Sequence, residues 1–148
     1  MLIQTLQAIF TENLKKLRTE IEMYRNEENI WKIKDQIANS AGNLCLHLVG
    51  NLNTYIGKEL GKINYVRNRP LEFSLKNVPR EELLKKIDET LLVVIQSLDN
   101  LDENSLSTEY PVLVLEHKTS TEYFLIHLST HLTYHLGQIN YHRRLLDN

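Results

Sequence analysis

Long stretches of this chain repeat their apolar residues with a period near 3.6, and five glycines and three prolines are spread over 148 residues. A strand needs a period of 2, so a helical period sustained over such lengths leaves an all-α fold as the reading. Residues 2 to 26 set Leu2, Leu6, Ile9, Phe10, Leu14, Leu17, Ile21 and Tyr24 along one face. A second helix is expected from about Asn39 to Leu60, with Asn39 or Ser40 as N-cap and Gly61 as its stop. A third starts near Pro79, whose missing N–H is harmless in a first turn, and Glu81 and Glu82 complement the dipole there. The fourth opens at "TSTE", where Thr119 and Glu122 have the spacing of a capping box, and runs almost to Asn148.

Four long helices make a four-helix bundle. The connections "KINYVRNRPLEFSLKN" and "DNLDENSLSTEYPVLVLEHK" are too long for tight turns, so at least one is expected to cross the bundle. Within the second, "YPVLVLE" has the residues of a locally extended stretch. No internal repeat or low-complexity tract divides the chain, and its length suits a single domain over residues 1 to 148.

A net charge of -2 and a pI near 6.3 give no basic field to hold nucleic acid or an anionic membrane. The lone Cys45 rules out an internal disulfide and a cysteine-based zinc cluster. The opening "MLIQTLQAIFTENLKK" lacks the basic start, apolar centre and cleavage site of a secretory signal. The longest purely apolar run, "LLVVI", is far short of a membrane span. The expectation is a cytoplasmic protein.

Four of the six histidines crowd into "HLSTHLTYHLGQINYHRR". With His127 at zero, His131 falls at about 40°, His135 at about 80°, His142 at about 60° and Gln138 at about 20° around a helix axis. One narrow stripe therefore carries all five, while Leu125, Leu128, Leu132 and Leu136 point elsewhere. Two histidines four apart can share one ion, and the pairs 127/131 and 131/135 both qualify. A third ligand must come from another element. His117 falls in the long connection, whereas His47 sits mid-helix in "NSAGNLCLHLVGNLNTYIG" and is the better candidate. Asn43, His47 and Asn51, spaced by four, form a second polar line, and Cys45 points about 200° away from His47 as a buried apolar residue. If the two polar lines face each other, three nitrogens can bind an ion and leave a position open for water.

Spacing alone also allows a hydrogen-bonded polar seam without metal. Two other metal chemistries fail outright: "HLTYH" lacks the glutamate of an HExxH protease, and neither helix carries the Glu-x-x-His pair of a di-iron bundle.

"HLTYHLGQ" resembles the H-x-x-x-H-x-x-Q signature of the DinB/YfiT-like family of metal-dependent enzymes, and "NLCLHLVGNLN" resembles the earlier segment that supplies its lone histidine. With "YVRNRPLEF" and "GQINYHRRLL", the similarity covers most of the chain and matches a bacterial subgroup of unknown function. The resemblance implies a four-helix bundle with a long crossover, usually dimeric, holding a divalent metal, zinc or nickel foremost, through His47, His131 and His135. His127, Gln138, Asn43 and Asn51 then become candidates for supporting or lining the site.

Relatives in that family include transferases and isomerases that use low-molecular-weight thiols. The implied function is thiol transfer or hydrolysis on a small-molecule substrate by a homodimer. The alternative is a non-catalytic metal-binding or structural dimeric bundle. No carboxylate base is evident beside the expected ligands. Arg67 and Arg69 could hold an anionic group of a thiol, or pin their loop by pairing with Glu72. Tyr134, near His131 on the stripe, either borders a pocket or joins the core.

Overall fold

The computed structural model describes residues 1–148 and is helical throughout, without strands. Four long elements carry the fold: α1 (Leu2–Met23), α2 (Ala41–Leu52), α4 (Arg80–Asp99) and α5 (Thr121–Leu146). A short α3 (Arg69–Ser74) lies between α2 and α4, and single 3₁₀ turns occupy Glu27–Trp31 and Glu103–Ser107. No helix is long and apolar enough to cross a membrane.

The apolar face of α1 buries Ile3, Leu6, Phe10, Leu14, Leu17 and Ile21, while Ile9, at the edge of that face, stays exposed. Both α4 and α5 pack on α1, and both also pack on α2. The helices therefore run around the bundle in the order α1, α4, α2, α5, with α1 and α2 at opposite corners and α4 and α5 at the other two. The α4–α5 connection crosses the bundle as expected from its length, and so does the link from α1 to α2. The stretch "YPVLVLE" forms no strand; one isolated antiparallel bridge pairs Glu109, just before it, with Ser120, just after the connection.

Every residue of α2 is buried. A helix covered on all sides needs more than two neighbours, and here α3 and the 3₁₀ turn at Glu27–Trp31 supply the remaining cover. Trp31 lies so close that a Cβ on Gly42 would stand 2.6 Å from its ring, and only glycine permits that approach.

Three helix boundaries differ from expectation. α1 stops at Met23 because Tyr24 turns to φ -58°, ψ 124°. α2 ends as an α-helix at Leu52 and continues as a π-helix over Asn53–Lys58; the left-handed residue beyond it is Lys62, at φ 58°, and not Gly61. Ser40 is the cap of α2, accepting from Asn43 N at 3.1 Å. α5 is capped by Ser120, which accepts from Tyr123 N at 3.1 Å, so the expected Thr119–Glu122 box is one residue out of register. Thr119 is committed instead to the bridge, its carbonyl accepting from Tyr110 N at 2.8 Å.

Candidate metal centre

The polar line of α2 faces the histidine stripe of α5 across the bundle. His47 Nε2 stands 3.2 Å from His131 Nε2, and the ligand atoms of His47, His131 and His135 all lie within 4.8 Å of one another. The three rings meet edge to face, with interplanar angles of 75°, 88° and 87°. Two nitrogens bound to zinc at about 2.0–2.1 Å in tetrahedral geometry stand about 3.3–3.4 Å apart. The spacing of the His47 and His131 nitrogens is close to that edge, and His135 brings a third nitrogen within 4.8 Å, a donor type and number suited to a divalent cation.

Two of the rings are held by their outer nitrogens. His47 Nδ1–H donates to Glu72 Oε1 at 3.1 Å, and His135 Nδ1–H donates to Gln138 Oε1 at 2.7 Å. Each bond selects the tautomer that leaves Nε2 as a lone-pair donor, the form a metal requires. His131 has no partner on its buried Nδ1. Burial, then the neighbouring His135 and His47, push the His131 imidazolium down to about 4. Burial also lowers His135, against the opposing bond to Gln138. Both rings are neutral at neutral pH, as ligands must be.

Glu72 is a carboxylate beside the ligands after all, contrary to the sequence reading. It is only 6% exposed on α3, and Arg67 grips it with Nε to Oε2 at 2.8 Å and Nη2 to Oε1 at 3.0 Å. Burial pushes its carboxyl upward, but the hydrogen bonds from His47 and Arg67 outweigh this and hold it below the usual carboxylate range. It therefore stays ionised. The expected Arg67–Glu72 pairing is present, whereas Arg69 lies over the Phe73 ring at 5.6 Å without an ion-pair partner.

What spacing could not reveal is that the same carboxylate reaches His47, 25 residues away. One signal was available: Gly50 interrupts a helix interior one turn beyond His47. A Cβ there would stand 1.8 Å from Glu72 Oε2, so the glycine makes the room the carboxylate occupies.

The remaining candidates divide by what they touch. Gln138 supports His135 directly. Asn43 donates to the carbonyls of Glu72 and Leu75 at 2.9 and 2.8 Å, and so fixes the end of α3 rather than a histidine. Asn51 is 7% exposed, its Oδ1 has no partner, and it lines a cavity with His127 and Arg69. His127 stacks on Phe124 at 5.7 Å and on His131 at 6.4 Å, outside the three-nitrogen cluster. Tyr134 is 65% exposed and borders a second cavity instead of the core.

His142 leaves the site altogether. Its Nδ1 accepts from the Tyr24 hydroxyl at 2.6 Å and its Nε2–H donates to the Lys32 carbonyl at 2.8 Å. The stripe is continuous on α5, but α2 is too short to face all of it, and the C-terminal turns meet the end of α1 instead. Cys45 is fully buried, its thiol pushed up to about 12 by burial, and it forms part of the core.

A search of curated proteins returns no match. Residues 2–148 match the family described as Protein of unknown function (DUF1572), a DinB-like family. The match spans nearly the whole chain, and the chain belongs to that family.

Proposed function

We propose that this chain is a metal-dependent enzyme acting on small molecules, with His47, His131 and His135 holding a divalent cation, zinc or nickel, and a low-molecular-weight thiol or water as nucleophile. The observation that supports it is the convergence of three imidazoles whose outer nitrogens are tied, in two cases, to Glu72 and Gln138. A cation held there supplies Lewis acidity, which lowers the pKa of a bound thiol or water into the working range.

The protein's own groups do the rest. Glu72 orients His47 and, by accepting from Nδ1–H, selects the tautomer whose lone pair sits on Nε2. Arg67 neutralises the buried carboxylate, so that Glu72 stays ionised without drawing a proton from the site. Gln138 does for His135, with a neutral acceptor, what Glu72 does for His47. His127 and Asn51 wall the approach from the N-terminal half of α5. The same proposal includes a cytoplasmic homodimer.

The test is turnover of a thiol with an electrophile, and separately hydrolysis of an activated ester, by protein stripped of metal and then reloaded with zinc or nickel. Activity that returns with metal, and is absent from His131→Ala at every metal concentration, supports the reading. A non-catalytic bundle would show neither activity with any metal.

A further inference from the structure

The side of α5 turned away from α1 and α2 has no partner within the protomer. Tyr123, Ile126, Tyr134, Tyr141 and Leu145 are 42–65% exposed. With Tyr123 at zero, they fall between about -60° and about 40° around the axis, one strip running from the first turn of the helix to the last. An exposed apolar residue standing alone needs no explanation, and Leu92 on α4, with Asp88, Glu89 and Gln96 at helical spacing around it, is of that kind. A continuous strip does need one.

Its charges are confined to its two ends. No Asp, Glu, Lys or Arg occurs from Tyr123 to His142. Glu122 stands in the first turn, and Arg143 and Arg144 stand in the last. Arg143 is already paired with Glu20, which leaves Glu122 and Arg144, both exposed, as the free charges of the strip. Gly137 is a second sign. Glycine is a poor helix former, and at Gly42 and Gly50 a Cβ would strike Trp31 and Glu72. At Gly137, in the interior of α5, a Cβ would meet nothing within 4 Å, so the protomer gives no reason for the residue.

We infer that this strip is the face on which two copies of the chain pair, with their α5 helices antiparallel about a twofold axis beside Tyr134. That arrangement sets Ile126 against the partner's Tyr141, Thr130 against the partner's Gly137 and Glu122 against the partner's Arg144, and each contact occurs twice. Opposite charges meet at both ends, and the neutral stretch between them brings no like charges together. A parallel pairing would set Glu122 on the partner's Glu122. Gly137 lets the two helices approach closely beside the axis.

The inference rests on the homodimer of the proposed function and adds its face, its polarity and a consequence for the site. Tyr134, Gln138 and Tyr141 line a cavity of about 590 Å³ that reaches His135. In the pair, the partner's Ile126 and the partner's Thr130 close over the outer side of that cavity, so its wall is built by two chains.

Sedimentation velocity on the full-length protein across micromolar concentrations is expected to show a dimer. Tyr134→Lys brings two cations together beside the axis and is expected to weaken the dimer at least about 100-fold; Tyr134→Glu does the same, and mixing the two variants restores association. Leu92→Lys, equally exposed on α4, is expected to leave it unchanged. Ile126→Cys mixed with Tyr141→Cys is expected to yield dimers under a short bismaleimide cross-linker, and neither variant alone; Cys45 is fully buried and does not compete. A chain that stays monomeric overturns this inference together with the homodimer. A dimer that survives Tyr134→Lys, or one in which Ile126→Cys cross-links to itself, overturns the antiparallel α5 face and leaves the homodimer standing. Neither readout uses metal, so the three-histidine centre is judged on zinc affinity alone.

Discussion

Removing the charge from Glu72 while keeping its shape tests the link between α3 and the metal centre. In Glu72→Gln the side-chain oxygen can still accept from His47 Nδ1–H, but the ionic grip on Arg67, 13% exposed, is lost. Loss of such an outer partner typically costs a metal site 10–100-fold in affinity, about 1.4–2.7 kcal/mol. Gly50→Ala reaches the same carboxylate by another route. The new Cβ would stand 1.8 Å from Oε2 and must displace it, although alanine is intrinsically better in a helix by about 1 kcal/mol.

Zinc affinity of both variants is measured against a competing chelator, and melting temperature at one fixed free zinc concentration. With free zinc at 1,000 times the parent dissociation constant, binding adds about 4 kcal/mol to the parent. A thirtyfold weaker site retains about half of that by the same relation, a loss of about 2 kcal/mol. For a chain of this size the zinc-induced rise in Tm should shrink by about 4–8 °C. Zinc affinity within twofold of the parent in both variants, with only metal-free stability changed, would refute the role given to Glu72.

His47→Ala, His131→Ala and His135→Ala should each lower zinc affinity by several powers of ten and abolish the zinc-induced rise in Tm, while His127→Ala should cost about 10–100-fold or less; chelator competition on the four variants ranks them. Metal-free protein should lose stability as pH falls from 6.5 to about 4, because the unfolded chain protonates His131 at its ordinary pKa while the folded chain keeps it neutral to about 4. That loss is about 3 kcal/mol at most from His131, and urea titrations across the window should show stability rising with pH. His142→Ala should lower metal-free stability by about 2–4 kcal/mol, through the lost bonds to Tyr24 and Lys32 and the space left behind, without altering zinc affinity.

The bundle was legible in the sequence because its evidence is local. A period of 3.6 in α1, Ser40 ahead of α2 and Pro79 ahead of α4 each act within a few residues of where they stand, so the elements follow from order alone. The start of α5 was misplaced by one residue: the bridge between Glu109 and Ser120 sets where the chain leaves the connection, and it is Ser120, at the end of that bridge, that caps the helix. The stripe of four histidines was likewise correct as an angular statement.

What the stripe does depends on the partner at each level of the bundle. The facing element is α2 at His131 and His135 but Tyr24 and Lys32 at His142, so residues sharing one helix face end in a three-histidine cluster and in the core. Spacing could not separate the pair 127/131 from 131/135, since both subtend about 40°; the position of His47 across the bundle separates them. Glu72 was visible as a partner for Arg67, a local pairing of five residues, but its bond to His47 spans 25 and exists only because Gly50 lets α3 close on α2. The sequence by itself determined the helices, their faces and the ligand types they carry, since backbone geometry relates neighbours in the chain; which nitrogens converge, and what holds them, only the tertiary structure decided, because those contacts depend on how separate helices pack.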